Sequence, residues 1–122
     1  MFEEALRNFL VASLGIAVHV NDAYNASGDF LLIELTGRDD DHSSVVNGLR
    51  YDDYDFHFYA GTFHRAILMA DDFYTRYNNF KGVMGAYNVT LMRQTNAYDF
   101  KENDSGSKVR VLSMSINYIR RP

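Results

Sequence analysis

Three side chains that could do chemistry occupy alternate positions of one short segment: Asp53, Asp55 and His57. A β-strand has a side-chain period of two, so in a strand all three point to the same face and share one environment. Two carboxylates and an imidazole in a row could bind a metal ion or transfer protons. No second element supplies a converging ligand, however, so the favoured interpretation is an acidic stripe that faces a partner or solvent, and no metal site is predicted.

Other candidates for chemistry are weaker. Residues 39–41 are three aspartates followed by His42, a composition that could hold a divalent metal. Adjacent carboxylates point in different directions and the glycine of a calcium loop is absent, so a solvated loop over 37–44 is the better prediction. The chain has no cysteine, no phosphate-binding glycine loop and no nucleophile elbow. We therefore expect no catalytic residue, no cofactor and no enzyme activity.

Charge is unevenly divided along the 122 residues, although the net charge is only −4. Residues 1–61 carry three arginines and eleven acidic side chains, whereas residues 62–122 carry nine basic and five acidic ones. Opposite potentials could bring two copies together, unless folding mixes both halves over one surface. Basic residues are spread thinly, so specific nucleic-acid binding is not expected. No apolar run is long enough to span a membrane, and a soluble, cytoplasmic protein is expected.

The elements that must position these residues centre on a strand that leads into a helix. From Tyr54 to Ala60 apolar and polar side chains alternate, which predicts a strand buried on one side. Thr62 suits a helix N-cap, and the apolar spacing after it predicts a helix over 62–80 that Gly82 closes. The core-facing positions of this helix are expected to be Phe63, Ile67, Ala70, Phe73 and Tyr77.

The remaining elements complete one domain over residues 1–122. A first helix is predicted over 2–14, and strands are predicted over 16–20, 29–38, 83–93 and 109–120. The fold class is therefore α+β, a mostly antiparallel sheet of about four to five strands with two helices packed on one face. Residues 95–100 could either extend the preceding strand or lie on a projecting hairpin. We expect residues 95–107 to project as a hairpin or loop whose Tyr98 and Phe100 contact a partner.

This order of elements resembles the tail terminator proteins of long-tailed bacteriophages, also called tail completion or minor capsid proteins. The segments that carry the resemblance are residues 14–18 (LGIAV), 29–37 (DFLLIELTG), 54–60 (YDFHFYA) and 110–118 (RVLSMSINY). The likeness is one of pattern and length and covers nearly the whole chain.

The resemblance implies a non-enzymatic virion protein at the neck of the phage, assembled in the host cytoplasm. Such a protein forms a homo-oligomeric ring, typically a hexamer, that ends polymerisation of the tail tube protein and joins the tail to the head connector or stopper protein. DNA would pass through the lumen without specific binding, and Asp53, Asp55 and His57 would face the lumen or a neighbouring subunit. Two alternatives are a head-side connector or stopper protein and a small-molecule binding α+β module.

Overall fold

The computed structural model describes residues 1–22, 28–38, 48–102 and 106–122. It contains two helices and six strands in the order α1 (Phe2–Leu14), β1 (Ala17–Val20), β2 (Phe30–Arg38), β3 (Arg50–Ala60), α2 (Phe63–Tyr77), β4 (Gly82–Met84), β5 (Tyr87–Lys101) and β6 (Lys108–Arg120). The predicted loop over 37–44 lies outside the described residues except for Gly37 and Arg38, which belong to β2.

The six strands form one sheet in the order β1-β2-β3-β6-β5-β4. Only β1 and β2 are parallel; the other neighbours pair antiparallel. The α+β class with two helices is confirmed, and the sheet has more strands than the four to five expected. The extra strand is β4, whose three residues are too few to give a recognisable alternation in the sequence.

Both helices pack on the same face of the sheet. Phe73 of α2 lies 4.7 Å from Phe56 and Phe2 of α1 lies 6.4 Å from Tyr54, measured between ring centroids, and both partners project from one side of β3. We call this side the inner face and the opposite side the outer face. The inner-face residues of β6 are buried in the same core: Leu112, Met114, Ile116 and Tyr118.

Helix α1 has the predicted limits because its ends carry the expected signals. Glu3 and Glu4 lie in the first turn, where negative charge favours the helix dipole. Gly15 follows the last helical residue in the left-handed conformation, with φ of 68°, and donates its N–H to the carbonyl of Val11. A left-handed residue after the last turn is a common helix ending, and glycine adopts it without steric cost.

Helix α2 begins as predicted but ends earlier. The Thr62 hydroxyl accepts a hydrogen bond from the Arg65 N–H, as an N-cap does. Ala66, Met69, Ala70, Phe73 and Tyr77 are buried, whereas Phe63, at 37% exposure, is not part of the core stripe. The helix stops at Tyr77, so Gly82 does not close it.

Gly82 has a packing role instead. It belongs to β4, and a Cβ at this position would lie 2.7 Å from the ring of Phe80. Any larger residue would therefore displace that ring, which packs against Phe9 and Tyr77.

Two predictions for β5 are wrong. The structure divides the expected strand over 83–93 into β4 and β5, and a β-bulge between Val89 and Leu91 shifts the alternation, so Val89 and Met92 share the core. A bulge inserts one extra residue and reverses the facing of everything after it. Residues 95–101 do not project from the body but continue β5 along β6.

None of the described helices is long and apolar enough to cross a membrane.

Candidate functional site

The outer face of the sheet carries all five side chains that the sequence singled out. Asp53, Asp55 and His57 project from β3, and the register places Tyr98 and Phe100 of β5 on the same face, two strands away. In the row that contains His57, the neighbours are Val111 of β6 and then Tyr98 of β5. The structure therefore brings together residues that lie more than forty positions apart in the sequence.

The three predicted polar residues of β3 do not share one environment. Asp53 is exposed. Asp55 is half-buried, accepts a hydrogen bond from the Ser113 hydroxyl at 2.7 Å and lies 3.5 Å from the Tyr98 hydroxyl. His57 is buried, with 9% of its surface exposed. The expectation of a uniform stripe was wrong in this respect, because burial on this face increases from Asp53 to His57.

An apolar cluster on the outer face explains this increase. Phe30 and Tyr59 stack with 4.4 Å between ring centroids, and Phe100 lies edge-on to His57 at 6.3 Å. Val109 and Val111 lie between these rings and have no exposed surface. Both faces of β3 and β6 are thus apolar at this end of the sheet, so alternation alone did not predict the burial of His57.

The imidazole of His57 lacks a hydrogen bond in the described part of the chain. Neither ring nitrogen has a partner there, and the nearest carboxylate oxygen, Oε2 of Glu34, lies 3.7 Å from Nε2. Burial lowers the pKa of His57, and the nearby carboxylates of Glu34 and Asp55 oppose this effect. The ring is therefore neutral at pH 7.

Next to His57, towards the start of β3, the outer face carries an acidic patch, which we define as Glu34, Asp53 and Asp55. Glu34 lies directly opposite Asp55 in the register of β2 and β3. Like charges in this relation destabilise a sheet. Within the described ranges, no lysine or arginine forms an ion pair with any of the three. No described group of three or more His, Asp or Glu side chains could hold a metal ion.

A second polar site lies on the inner face, where sequence analysis did not place one. Asp52 is 1% exposed and accepts two hydrogen bonds from the Arg38 guanidinium, both at 3.0 Å. The hydroxyls of Tyr54 and Tyr118 donate to the same carboxylate at 2.6 and 3.0 Å. Arg38 also forms an ion pair with Glu3 of α1. This network joins β2, β3, β6 and the first turn of α1.

The network holds Arg38, Tyr54 and Tyr118 in fixed protonation states. The hydrogen bonds that Arg38 donates to Asp52 raise the pKa of the guanidinium, so it stays charged. Burial, followed by the hydrogen bond to Asp52, raises the pKa of Tyr54 far above its ordinary value, and burial also raises that of Tyr118. Neither phenol can act as a base near neutral pH. The site is therefore suited to holding elements together and presenting charge, not to proton transfer.

An open cleft lies beside this network, with a volume of about 480 Å³. Its lining includes three arginines, Arg38, Arg50 and Arg120, together with Tyr87 and Tyr118. We call it the arginine cleft. Asp53, Asp55 and His57 are not among its lining residues.

A signal for the inner-face network was present in the sequence. Tyr54, Phe56 and Phe58 face the core, so the same alternation places Asp52 on the core side. A charged residue at a core position requires a partner, since an unpaired buried charge is costly. The identity of that partner, Arg38, depends on strand pairing and could not be read from the sequence.

Comparison with models of known protein families gives no match, and no curated protein matches the chain.

Proposed function

We propose that this protein is a non-enzymatic structural protein of a long-tailed bacteriophage, a tail terminator that forms a ring at the neck of the virion. The ring would end polymerisation of the tail tube protein and join the tail to the head connector. The proposal rests on the resemblance in the pattern of elements and on one structural observation. That observation concerns the outer face of the sheet, where the acidic patch lies beside the partly exposed aromatic side chains of Tyr51 and Tyr98.

This face has the character of a contact surface. Tyr51 and Tyr98 are 37% and 41% exposed, close to the uncompensated acidic patch. Aromatic residues are enriched in protein interfaces because they bury a large area with few rotatable bonds. Contact with another subunit would give the patch the cations that the described part of this chain does not provide.

The negative charge of the acidic patch also suits a position in a ring that surrounds DNA. Carboxylates lining a channel repel DNA phosphates, the reverse of the basic surfaces that bind them. The genome could then slide through the channel without adhering to it. In this proposal Asp53, Asp55 and His57 face the lumen or the adjacent subunit and bind no metal.

The native mass of the purified protein, measured together with negative-stain images, tests this function. We expect a particle of several copies, a hexamer by resemblance, with a central hole. A compact 14 kDa monomer at all concentrations, including in the presence of tail tube protein, would contradict the ring.

The arginine cleft favours a second candidate, a module that binds a small anionic ligand. Guanidinium groups recognise carboxylates and phosphates through paired hydrogen bonds. Calorimetric titration with inorganic phosphate and with citrate distinguishes the candidates. Stoichiometric binding by a monomer supports the second candidate, and its absence leaves the ring as the better account.

A further inference from the structure

The arginine cleft carries positive charge that no described carboxylate fully neutralises. Arg38 is compensated by Asp52 and Glu3. Arg50 and Arg120 have no ion pair with any described carboxylate. Arg120 is positioned by the ring of Tyr87, with its guanidinium carbon 6.0 Å from the ring centroid. Within the described residues, two guanidinium groups of one cleft thus lack an anionic partner.

The acidic patch is the opposite of this cleft in charge. Glu34 and Asp53 have no described lysine or arginine partner, and Glu34 also faces Asp55 across the strand pair. A second observation points to a missing contact here. His57, nine-tenths buried, has no hydrogen-bond partner among the described residues, and its Nε2 lies 3.7 Å from the Glu34 carboxylate at the margin of the patch.

The cleft and the patch cannot neutralise each other within one chain. Arg50 pairs with Tyr118 on the inner face of β3, and Asp53 pairs with Ser115 on the outer face of the same strand. The sheet itself lies between them. A copy that uses its patch on one neighbour still presents its cleft to another, so the contact is head-to-tail. Such contacts generate closed rings when the rotation between copies allows it.

We propose that Arg50 and Arg120 of one copy bind the Glu34 and Asp53 carboxylates of a second copy of this chain. This inference rests on the proposed ring and adds the contact that links its subunits. Asp55 adds to the negative electrostatic potential of the patch but makes no direct contact with the second copy, because its carboxylate already accepts a hydrogen bond from the Ser113 hydroxyl. Charge pairs that become desolvated between two proteins can couple strongly, and their loss weakens association.

Two charge-reversal variants test the contact: R50E/R120E and E34K/D53K. We expect each alone to raise the concentration of half-assembly at least about tenfold, measured by sedimentation. Mixing the two variants should restore assembly, because the reversed cleft of one then matches the reversed patch of the other. Circular dichroism establishes that both variants are folded. If either is not, the milder R50Q/R120Q and E34Q/D53N pairs replace them, and only the loss of assembly is tested.

The matched control is the variant D71K/K81E, which changes two exposed charges away from both surfaces. It should assemble as the wild type does. If the wild type forms rings and both charge-reversal variants do too, the contact is wrong and the ring proposal stands. If only one variant fails, or mixing restores nothing, the cleft binds a different acidic surface and the inference is overturned. A wild type that never assembles contradicts the ring and the contact together.

Discussion

Asp52 and Asp53 are neighbours in the sequence with the same side chain, yet the fold gives them opposite environments. Asp52 is 1% exposed and receives four hydrogen bonds on the inner face, whereas Asp53 is exposed on the outer face. Successive side chains of a strand point to opposite faces, and the alternation of residue types in the sequence predicts this separation. Two partners of Asp52, Arg38 and Tyr118, lie on neighbouring strands. Their proximity follows from the order of the strands in the sheet, which no local sequence pattern reveals.

At the same scale, His57 should make stability depend on pH. Its folded-state pKa is lowered by burial, so below about pH 6.5 the unfolded chain takes up a proton that the folded protein does not. Stability is therefore lost as the pH falls from about 6.5 towards the folded pKa of His57. The described groups facing the ring are Glu34 from β2, Asp55 and Tyr59 from β3, and Phe100 from β5.

Replacing this side chain gives the test. We expect His57→Leu to be at least as stable as the wild type at about pH 7.5, because it removes two ring nitrogens that lack described partners. It should also lose less stability than the wild type between about pH 6.5 and 5. Urea unfolding at several pH values measures both effects, with His64→Leu on the exposed side of α2 as the control. Parallel pH profiles for wild type and His57→Leu would contradict the assignment.

At the scale of the element, α2 provides a matched pair of phenylalanines. Phe73 is fully buried against Phe56 and Phe58, whereas Phe63 at the first turn is 37% exposed. Phe73→Ala should reduce the free energy of unfolding by about 3–5 kcal/mol, the range for emptying a large core site. Phe63→Ala should cost about 1 kcal/mol or less, since it loses mainly a surface contact with Lys108. If denaturant unfolding shows equal losses in the free energy of unfolding for the two variants, α2 does not pack on the sheet through the Phe73 side as described.

Element boundaries show where sequence patterns stop being informative. Thr62 and Gly15 mark real helix ends because capping is decided by local chemistry. The bulge near Thr90 is not encoded by any glycine or proline in that strand, so a regular alternation does not predict which side chains of β5 reach the core. β1 was recognised as a strand, but its parallel pairing with β2 depends on a connection that carries no pairing signal.

At the scale of the whole molecule, the sequence placed Asp53, Asp55 and His57 on one face of a strand. It predicted neither the burial of His57 nor the approach of Tyr98 and Phe100, which were expected on a projecting segment. Asp53, Asp55 and His57 follow from a single strand, and Tyr98 and Phe100 join them through the register of β6. The arginine cleft could not be anticipated, because Arg38, Arg50 and Arg120 come from three different strands. Their proximity depends on the position of β3 between β2 and β6.

The arrangement of the sheet leaves one long edge without a neighbour in the described structure. β4 pairs with β5 only at residues 87–89, and contacts from Asn78 to Phe80 extend along β5 as far as Gln94. Beyond Gln94 no described residue pairs with β5 on the side away from β6. An unpaired edge is a template for a strand or arm of a neighbouring subunit.

Amide hydrogen exchange should detect whether assembly uses this edge. In the isolated subunit, the amides of residues 95–101 that point away from β6 should exchange quickly, because water reaches them. In the assembled particle the same amides should be protected, as expected for a segment that contacts the adjacent copy. Residues 111–117 of β6, paired on both sides, serve as the internal control and should be protected in both states. Equal exchange of residues 95–101 before and after assembly would remove this edge from the interface and leave the charged surfaces as the means of association.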